Sequence, residues 1–535
     1  MTRTASRLYP VMAAIVVMLV CAPAGMGAEP SWPCWRGPNH NGSAVDCGAA
    51  IIDDLSQAKL VWTSEDGFPP MSGTSYYFTK DDEFPYFGGY GDPIAVGGRV
   101  YVQYYRPSGP IDQAGVESWR TKNGSKDPSK IADERKRKKL ETRLISFGRY
   151  VPECYRPAAD DVLVCLDAAT GKTSWTRVFD GQGFNYNIRT DEAYSVHGIP
   201  CAGAGRVYLL GSGGVVHAVE AATGKPVWSA AVGPAADNMA QWTAKYRQTG
   251  VTKDQSEMKK TLCVTPVYAG GVVACSDLIG AAKNRGGGPA RSGPHCGMVG
   301  FDAATGKRLW TVPDCIATYN APVPWAHNGK TYFIACNFTN IKCVEAKSGT
   351  VLWTLASTDD RVVHNGGMMP AIDGDLLLVE DVIEVSGEGK KRRGDGGYTC
   401  YRLTAAGPEE LWRISFGANG IGANDKTGMS PVIHRGHAYF KTQGRSHKAY
   451  CIDMQTGKTI AVIDGRVSMR YGNTVGIEDK VLTPSGLMGT GKAFKMLSGG
   501  GRETINCTAY CGPCVVDGRL FTRDNHRVYC YDLRK

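Results

Sequence analysis

Two cysteines in CGPC (511–514) have the spacing of a redox dithiol. Such a pair works when a helix N-terminus lowers the pKa of one thiol. The residues that follow, VVDGRLFT, are two short apolar runs around an Asp-Gly turn, with no helical period. CGPC is therefore read as the start of a strand, holding either a local disulfide or two core thiols. His434, His437 and His447 lie near one hairpin, and the first two flank its turn, where a pair of imidazoles could meet a metal. No G-x-S-x-G, H-E-x-x-H or phosphate-binding glycine loop occurs. These motifs assign no catalytic residue and no metal.

The elements that must position any site come from a repeat. The copies are CLDAATGKTSW (165–175), AVEAATGKPVW (218–228), GFDAATGKRLW (300–310) and CVEAKSGTVLW (343–353), with weaker ones at 400–412, 451–461, 493–500 and 530–532. In each full copy a strand runs into an acidic turn position such as Asp167 or Asp302, whose side chain can accept backbone N–H groups. Gly171, Gly224, Gly306 and Gly349 fill the position expected to need positive φ. A second strand then carries Trp175, Trp228, Trp310 or Trp353; Trp412 belongs to the degenerate fifth copy. A further hairpin with a Gly-containing turn precedes each copy, as in DPIAVGGRVYV (92–102) and SPVIHRGHAYF (430–440). Two hairpins make a four-stranded blade. The count predicts an all-β, eight-bladed propeller.

The eighth blade runs out at Tyr531-Asp532-Leu533, before its tryptophan strand. KLVWTSE (59–65) has that strand's pattern, so Trp62 is expected to close the last blade from the N-terminal side and remove a free sheet edge. Cys165, Cys343, Cys451 and Cys530 share one repeat position, held elsewhere by Ala218 and Gly300, so they read as small core residues. Whether any of the 18 cysteines pair, Cys34 with Cys47 included, stays open at this level.

The pattern A-x-D-x-x-T-G-K-x-x-W resembles the tryptophan-docking motif of the pyrroloquinoline quinone (PQQ) repeat propellers. That family takes in quinoprotein alcohol dehydrogenases and BamB-type assembly proteins. The likeness runs from about Trp32 to the end, and WPCWRGPNHNG (32–42) looks like the opening of exported members. It implies the fold strongly and function weakly. The dehydrogenases stack their quinone on a disulfide between adjacent cysteines and hold calcium beside it; this chain has no adjacent cysteines and no C-x-x-C-H haem site. No cofactor is expected, and PQQ with calcium is the disfavoured alternative.

In such a propeller the TGK turns lie on one face. The links between blades and the longer insertions lie on the other, around the channel mouth. Candidate ligand-binding residues fall in these links: Tyr90 and Asp92 before blade one, Arg189 and His197 before blade two, Tyr319 and Asn320 before blade four. His364 and Asn365 precede blade five, Asn424 blade six, Arg470, Tyr471 and Asn473 blade seven, and Tyr510 blade eight. Convergent polar and aromatic groups at a mouth make a binding site. Insertions 119–150, 281–295 and 386–397 are basic, fall on the same face, and would steer an anionic ligand there. In the first, Asp127-Pro128 reads as a helix start.

Residues 1–28, with Arg3 and Arg7 ahead of an apolar run, read as a signal peptide, leaving 29–535 as one propeller domain. Val20 stands where a lipobox needs a small residue, so lipidation at Cys21 is not expected. The expectation is an exported, periplasmic or extracellular monomer with no transmembrane anchor. Its partner would be an anionic small molecule or polysaccharide, or an envelope protein, and not nucleic acid. A binding scaffold is favoured over an enzyme. The alternative is a PQQ-dependent dehydrogenase or, behind it, a polysaccharide-active enzyme at the same mouth.

Overall fold

The computed structural model describes residues 31–68, 91–124, 158–184, 198–232, 265–276, 295–317, 321–337, 339–358, 361–363, 369–383, 395–416, 430–441, 448–464, 474–499, 505–507, 512–524 and 526–535, with a few isolated positions between them. Eight antiparallel sheets make up the ring, and in the first seven the four blade strands follow sequence order from the innermost to the outermost. Blade one, for example, consists of Ile94–Val96, Arg99–Ser108, Ala158–Asp167 and Thr173–Phe184. Blade five gains a short fifth strand, Arg361–Val362, on its second strand.

The last blade is closed as expected. Lys59–Thr63 pairs antiparallel with Val528–Asp532 and becomes the outer strand beside Cys514–Val516 and Arg519–Arg523. CGPC therefore does open the eighth blade's inner strand, as far as Cys514; Cys511 lies outside the described residues. Burial and the neighbouring Cys530 push the Cys514 thiol well above its ordinary range, the opposite of redox activation.

The repeat turn works through its side chains. Asp167 Oδ1 accepts from the backbone N–H groups of Ala169 and Thr170 at 3.1 and 2.8 Å and from the Thr170 hydroxyl at 2.8 Å. Asp302 and Asp453 repeat the arrangement. A bulge after the shared small position re-aims the outer strand, which sets Trp175 opposite Cys165, Trp228 opposite Ala218 and Trp353 opposite Cys343.

Each tryptophan then docks on the next blade. The indole N–H of Trp228 donates to Ala303 O at 3.0 Å, that of Trp310 to Ala346 O at 2.8 Å, that of Trp353 to Thr404 O at 3.1 Å, and that of Trp412 to Met454 O at 2.9 Å. Trp175 makes the packing without the bond: its ring covers Gly224, where a Cβ would lie 2.5 Å away. Gly306 and Gly349 sit in the same way under Trp228 and Trp310.

The repeat cysteines are fully buried and unpaired, and burial raises their thiols, to about 12 for Cys165, Cys343 and Cys400. Cys34 and Cys47 are also free. An α-helix spans Gln113–Gly124 and runs into the first basic region. The Asp112 carboxylate accepts from Gly115 N at 3.0 Å and supplies the N-terminal cap. Asp127 and Pro128 lie outside the described residues. No described helix is long and apolar enough to cross a membrane.

Candidate functional site

The ring's axis is crossed by the chain itself. Segment 32–46 lies inside the propeller and bonds to the middle residue of one three-residue inner strand after another. Trp32 exchanges both backbone bonds with Ala95 of blade one, at 2.7 and 3.0 Å. Pro33 O accepts from Ala202 N of blade two at 2.7 Å. On the far side, Asn41 O accepts from Ile433 N of blade six at 2.9 Å, and Asn41 Nδ2 donates to Ile372 O of blade five at 3.2 Å. Gly42 and Ala44 flank Gly476 of blade seven, with bonds of 2.9 and 2.8 Å. Blades one and two stand opposite five and six in an eight-membered ring, so the segment spans the channel.

Its local fold explains WPCWRGPNHNG. Gly37 N donates to Cys34 O, His40 N to Gly37 O, and Gly42 N to Arg36 O. Arg36, Gly37, His40 and Gly42 all have positive φ. Gly37 lies under the Trp32 ring, and a Cβ on Gly42 would sit 2.8 Å from Val432 Cγ2. Trp32, Cys34, Trp35, Arg36, His40 and Asn41 are buried. The Cys34 thiol donates to Gly37 O at 3.0 Å and lies 3.4 Å from His40 Nε2. Burial and the Arg36 charge pull the His40 pKa down to about 3, so the imidazole is neutral.

The segment leaves by the turn face. Ser43 Oγ donates to His434 Nδ1 at 2.6 Å, because His434 Nε2–H is committed to Glu478 O at 2.6 Å. Arg435 pairs with Asp46 at 2.7 Å and Glu478 at 3.1 Å. His437 Nδ1–H donates to Arg435 O. His434 and His437 are thus structural, and His447 lies outside the described residues. Among the described residues no three His, Cys, Asp or Glu side chains meet as metal ligands. Among the described residues, backbone and buried side chains of 32–44 occupy the channel axis, and the chain has no adjacent cysteines.

On the loop-rich side, Asp92 is the one described residue of the expected ring. It is buried, and its carboxylate accepts from Gly512 N at 2.7 Å, tying the start of blade one to the start of blade eight. Arg523, also fully buried, donates to Gly91 O at 3.3 Å beneath the Phe68 ring. Tyr90, Arg189, His197, Tyr319, Asn320, His364, Asn365, Asn424, Arg470, Tyr471, Asn473 and Tyr510 lie outside the described residues, as do 281–294 and most of 119–150 and 386–397. At blade five Asp381, fully buried, holds Arg361 at 3.0 Å and Arg413 at 2.9 Å, which commits both arginines to structure.

Two further groups escaped sequence reading. Arg36 is one, with only the glycine-rich turn around it as a signal. Asp161 is the other. Its Oδ1 accepts from Ser212 N of blade two at 2.8 Å, while Oδ2 faces Gly183 and Gly211. Burial raises its pKa to about 7; hydrogen bonds from the Ser212 backbone and side chain pull the other way, and Asp160 adds to the rise. A carboxyl raised in the folded state binds more protons there than in the unfolded chain. Its stabilising effect is therefore full at acid pH and declines as pH rises from about 4 to 7. Asp161→Asn should leave stability at pH 4.5 nearly unchanged and raise it at pH 8 by on the order of 2–4 kcal/mol. Urea midpoints at the two pH values check this; equal shifts at both would reject the buried-carboxyl account.

No curated protein matches the chain. Among solved structures, BamB from Moraxella catarrhalis aligns over 69% of this chain and 88% of its own, at 10% identity and a TM-score of 0.41. Quinohemoprotein alcohol dehydrogenase ADHIIG from Pseudomonas putida HK5 aligns over 94% and 80%, at 11% identity and 0.39. A europium-containing methanol dehydrogenase aligns over 85% and 88%, at 13% identity and 0.38. Likenesses of this strength carry no argument about the site. A family model described as "Outer membrane protein assembly factor BamB" matches residues 115–257 and 296–535, more than half of the sequence, and the chain belongs to that family.

Proposed function

We propose that this protein is an exported, non-catalytic scaffold of the cell envelope that binds an anionic ligand or an acidic protein surface at its loop-rich face. The observation that carries the reading is the crossing of the channel by segment 32–46. A propeller whose axis is filled by its own backbone has its remaining recognition surface on the rim. The family's description, which names outer-membrane assembly, fits a protein that works by contact. The three basic insertions supply the sign of the partner's charge.

The test is calorimetric titration of the full mature chain, first with PQQ plus calcium and then with an anionic polysaccharide such as polygalacturonate. No heat is expected from the quinone. Micromolar or tighter quinone binding, about −8 kcal/mol or more favourable, would overturn the scaffold reading. Glycan affinity should fall by about tenfold or more when 125–150 is replaced by a short neutral linker, and should weaken steeply with salt. Salt-independent affinity unaffected by the replacement would reject the charge-steered rim.

A further inference from the structure

Arg36 is 3% exposed. Its guanidinium donates through Nη1 to Pro370 O at 3.2 Å and through Nη2 to Pro431 O. These carbonyls immediately precede the inner strands Ala371–Asp373 and Val432–His434, so the side chain points from the crossing segment toward the loop-rich side. A guanidinium carries five N–H groups, and among the described residues two bonds use them. No described carboxylate pairs with Arg36. The groups that act on it electrostatically, or on which it acts, are Tyr398 and His40. A phenol and a neutral imidazole supply no negative charge.

Three other cations, Arg361, Arg413 and Lys480, have carboxylate partners. Arg361 and Arg413 converge on Asp381, and Lys480 reaches Asp53 and Asp479. A buried charge without a counter-charge is destabilising by several kcal/mol, and two neutral carbonyls offset only part of that. Burial draws the Arg36 pKa down to about 9, which still leaves the group charged at neutral pH. The chain nevertheless builds a turn of four positive-φ residues around it and seals it between blades five and six. Such a group is made to receive an anion.

We propose that Arg36 is an oxyanion-binding site inside the propeller, where a carboxylate or phosphate group caps the free N–H groups of the guanidinium and locks the crossing segment to blades five and six. The bound group is neutralising and structural, and the site does not depend on the scaffold reading. Charge-assisted bonds to a planar fork favour an oxyanion over a halide.

The test is thermal unfolding of the full chain titrated separately with inorganic phosphate, acetate and chloride at matched ionic strength. Phosphate or acetate should raise the wild-type Tm with the logarithm of its concentration above Kd, by about 2–3 °C at a hundredfold excess over Kd for a chain of this length. Whichever of the two begins to raise the Tm at lower concentration identifies the oxyanion class. Arg36→Met should abolish the shift and, without added anion, melt no lower than wild type. Arg36→Lys, which keeps the charge but loses the fork, should weaken binding by about tenfold. A chloride shift equal to the oxyanion shift, a shift retained in Arg36→Met, or a flat wild-type response would each overturn the proposal. If Arg36→Met does not fold, the wild-type anion series and Arg36→Lys decide. A variant with 125–150 replaced should keep the phosphate or acetate response even where rim binding of glycan is lost, so the two readings fail separately.

Discussion

Trp62→Ala is expected to lower the stability of the whole ring by about 3–5 kcal/mol, the range for removing a buried tryptophan. Trp62 is 7% exposed on an outer strand supplied from the far end of the sequence. Its indole N–H donates to Ala168 O of blade one at 3.0 Å, and its ring covers Gly171, where a Cβ would lie 2.5 Å away. This is the seam at which the last blade meets the first. Strand Lys59–Thr63 is held on Val528–Asp532, and Arg527 reaches back to Ser64 O and Glu65 O. Loss of the ring contact leaves that pairing as the main tie, so the variant should also expose a sheet edge and aggregate on mild heating. Trp353→Ala removes the same contact between blades that are already consecutive in the chain, so it should cost similar equilibrium stability without the aggregation. Urea midpoints with light scattering measure both effects. A Trp62→Ala protein that melts like wild type would remove Trp62 from ring closure.

The second large effect is expected at Gly42. Its φ is +81°, and a side chain there meets Val432 and the Thr474 carbonyl at 2.8 and 3.3 Å. Gly42→Val combines left-handed strain with overpacking, together about 3 kcal/mol. The blades do not depend on this residue for their pairing, so the cost should fall on the crossing segment. The amides of Ala202, Ile433 and Gly476 donate to Pro33, Asn41 and Gly42. They should exchange with solvent far faster in Gly42→Val, while amides in the strand pairs of the same blades keep their protection. Limited proteolysis should cut within 32–46. Unchanged protection at those three amides would mean that the segment tolerates the change and is held by its tryptophans instead.

The repeat made most of the fold legible before any coordinates. Each TGK turn is local: the aspartate, threonine and glycine that shape it lie within five residues, so their order alone specifies the bonds that Asp167, Asp302 and Asp453 make. The small residue opposite each tryptophan is likewise set by hairpin register. Even ring closure was legible, because Trp62 sits in a copy of the same strand pattern, and the eighth blade lacks one.

The crossing segment was not legible. Its turn glycines were visible, but its partners lie from 63 to 434 residues away in inner strands of five blades, and no periodicity marks a chain that pairs with many strands once each. The burial of Arg36 with no described carboxylate beside it, and of Asp161 against two glycines, is invisible for the same reason. Asp92 sits in the expected link, yet its carboxylate ties blade one to blade eight. By itself the sequence determined the blade, its turn, the docking order and the closing strand, all products of local period and pattern. Only the tertiary structure decided that the channel is filled and which charges are sealed inside it, because burial and charge pairing depend on residues brought together across the ring.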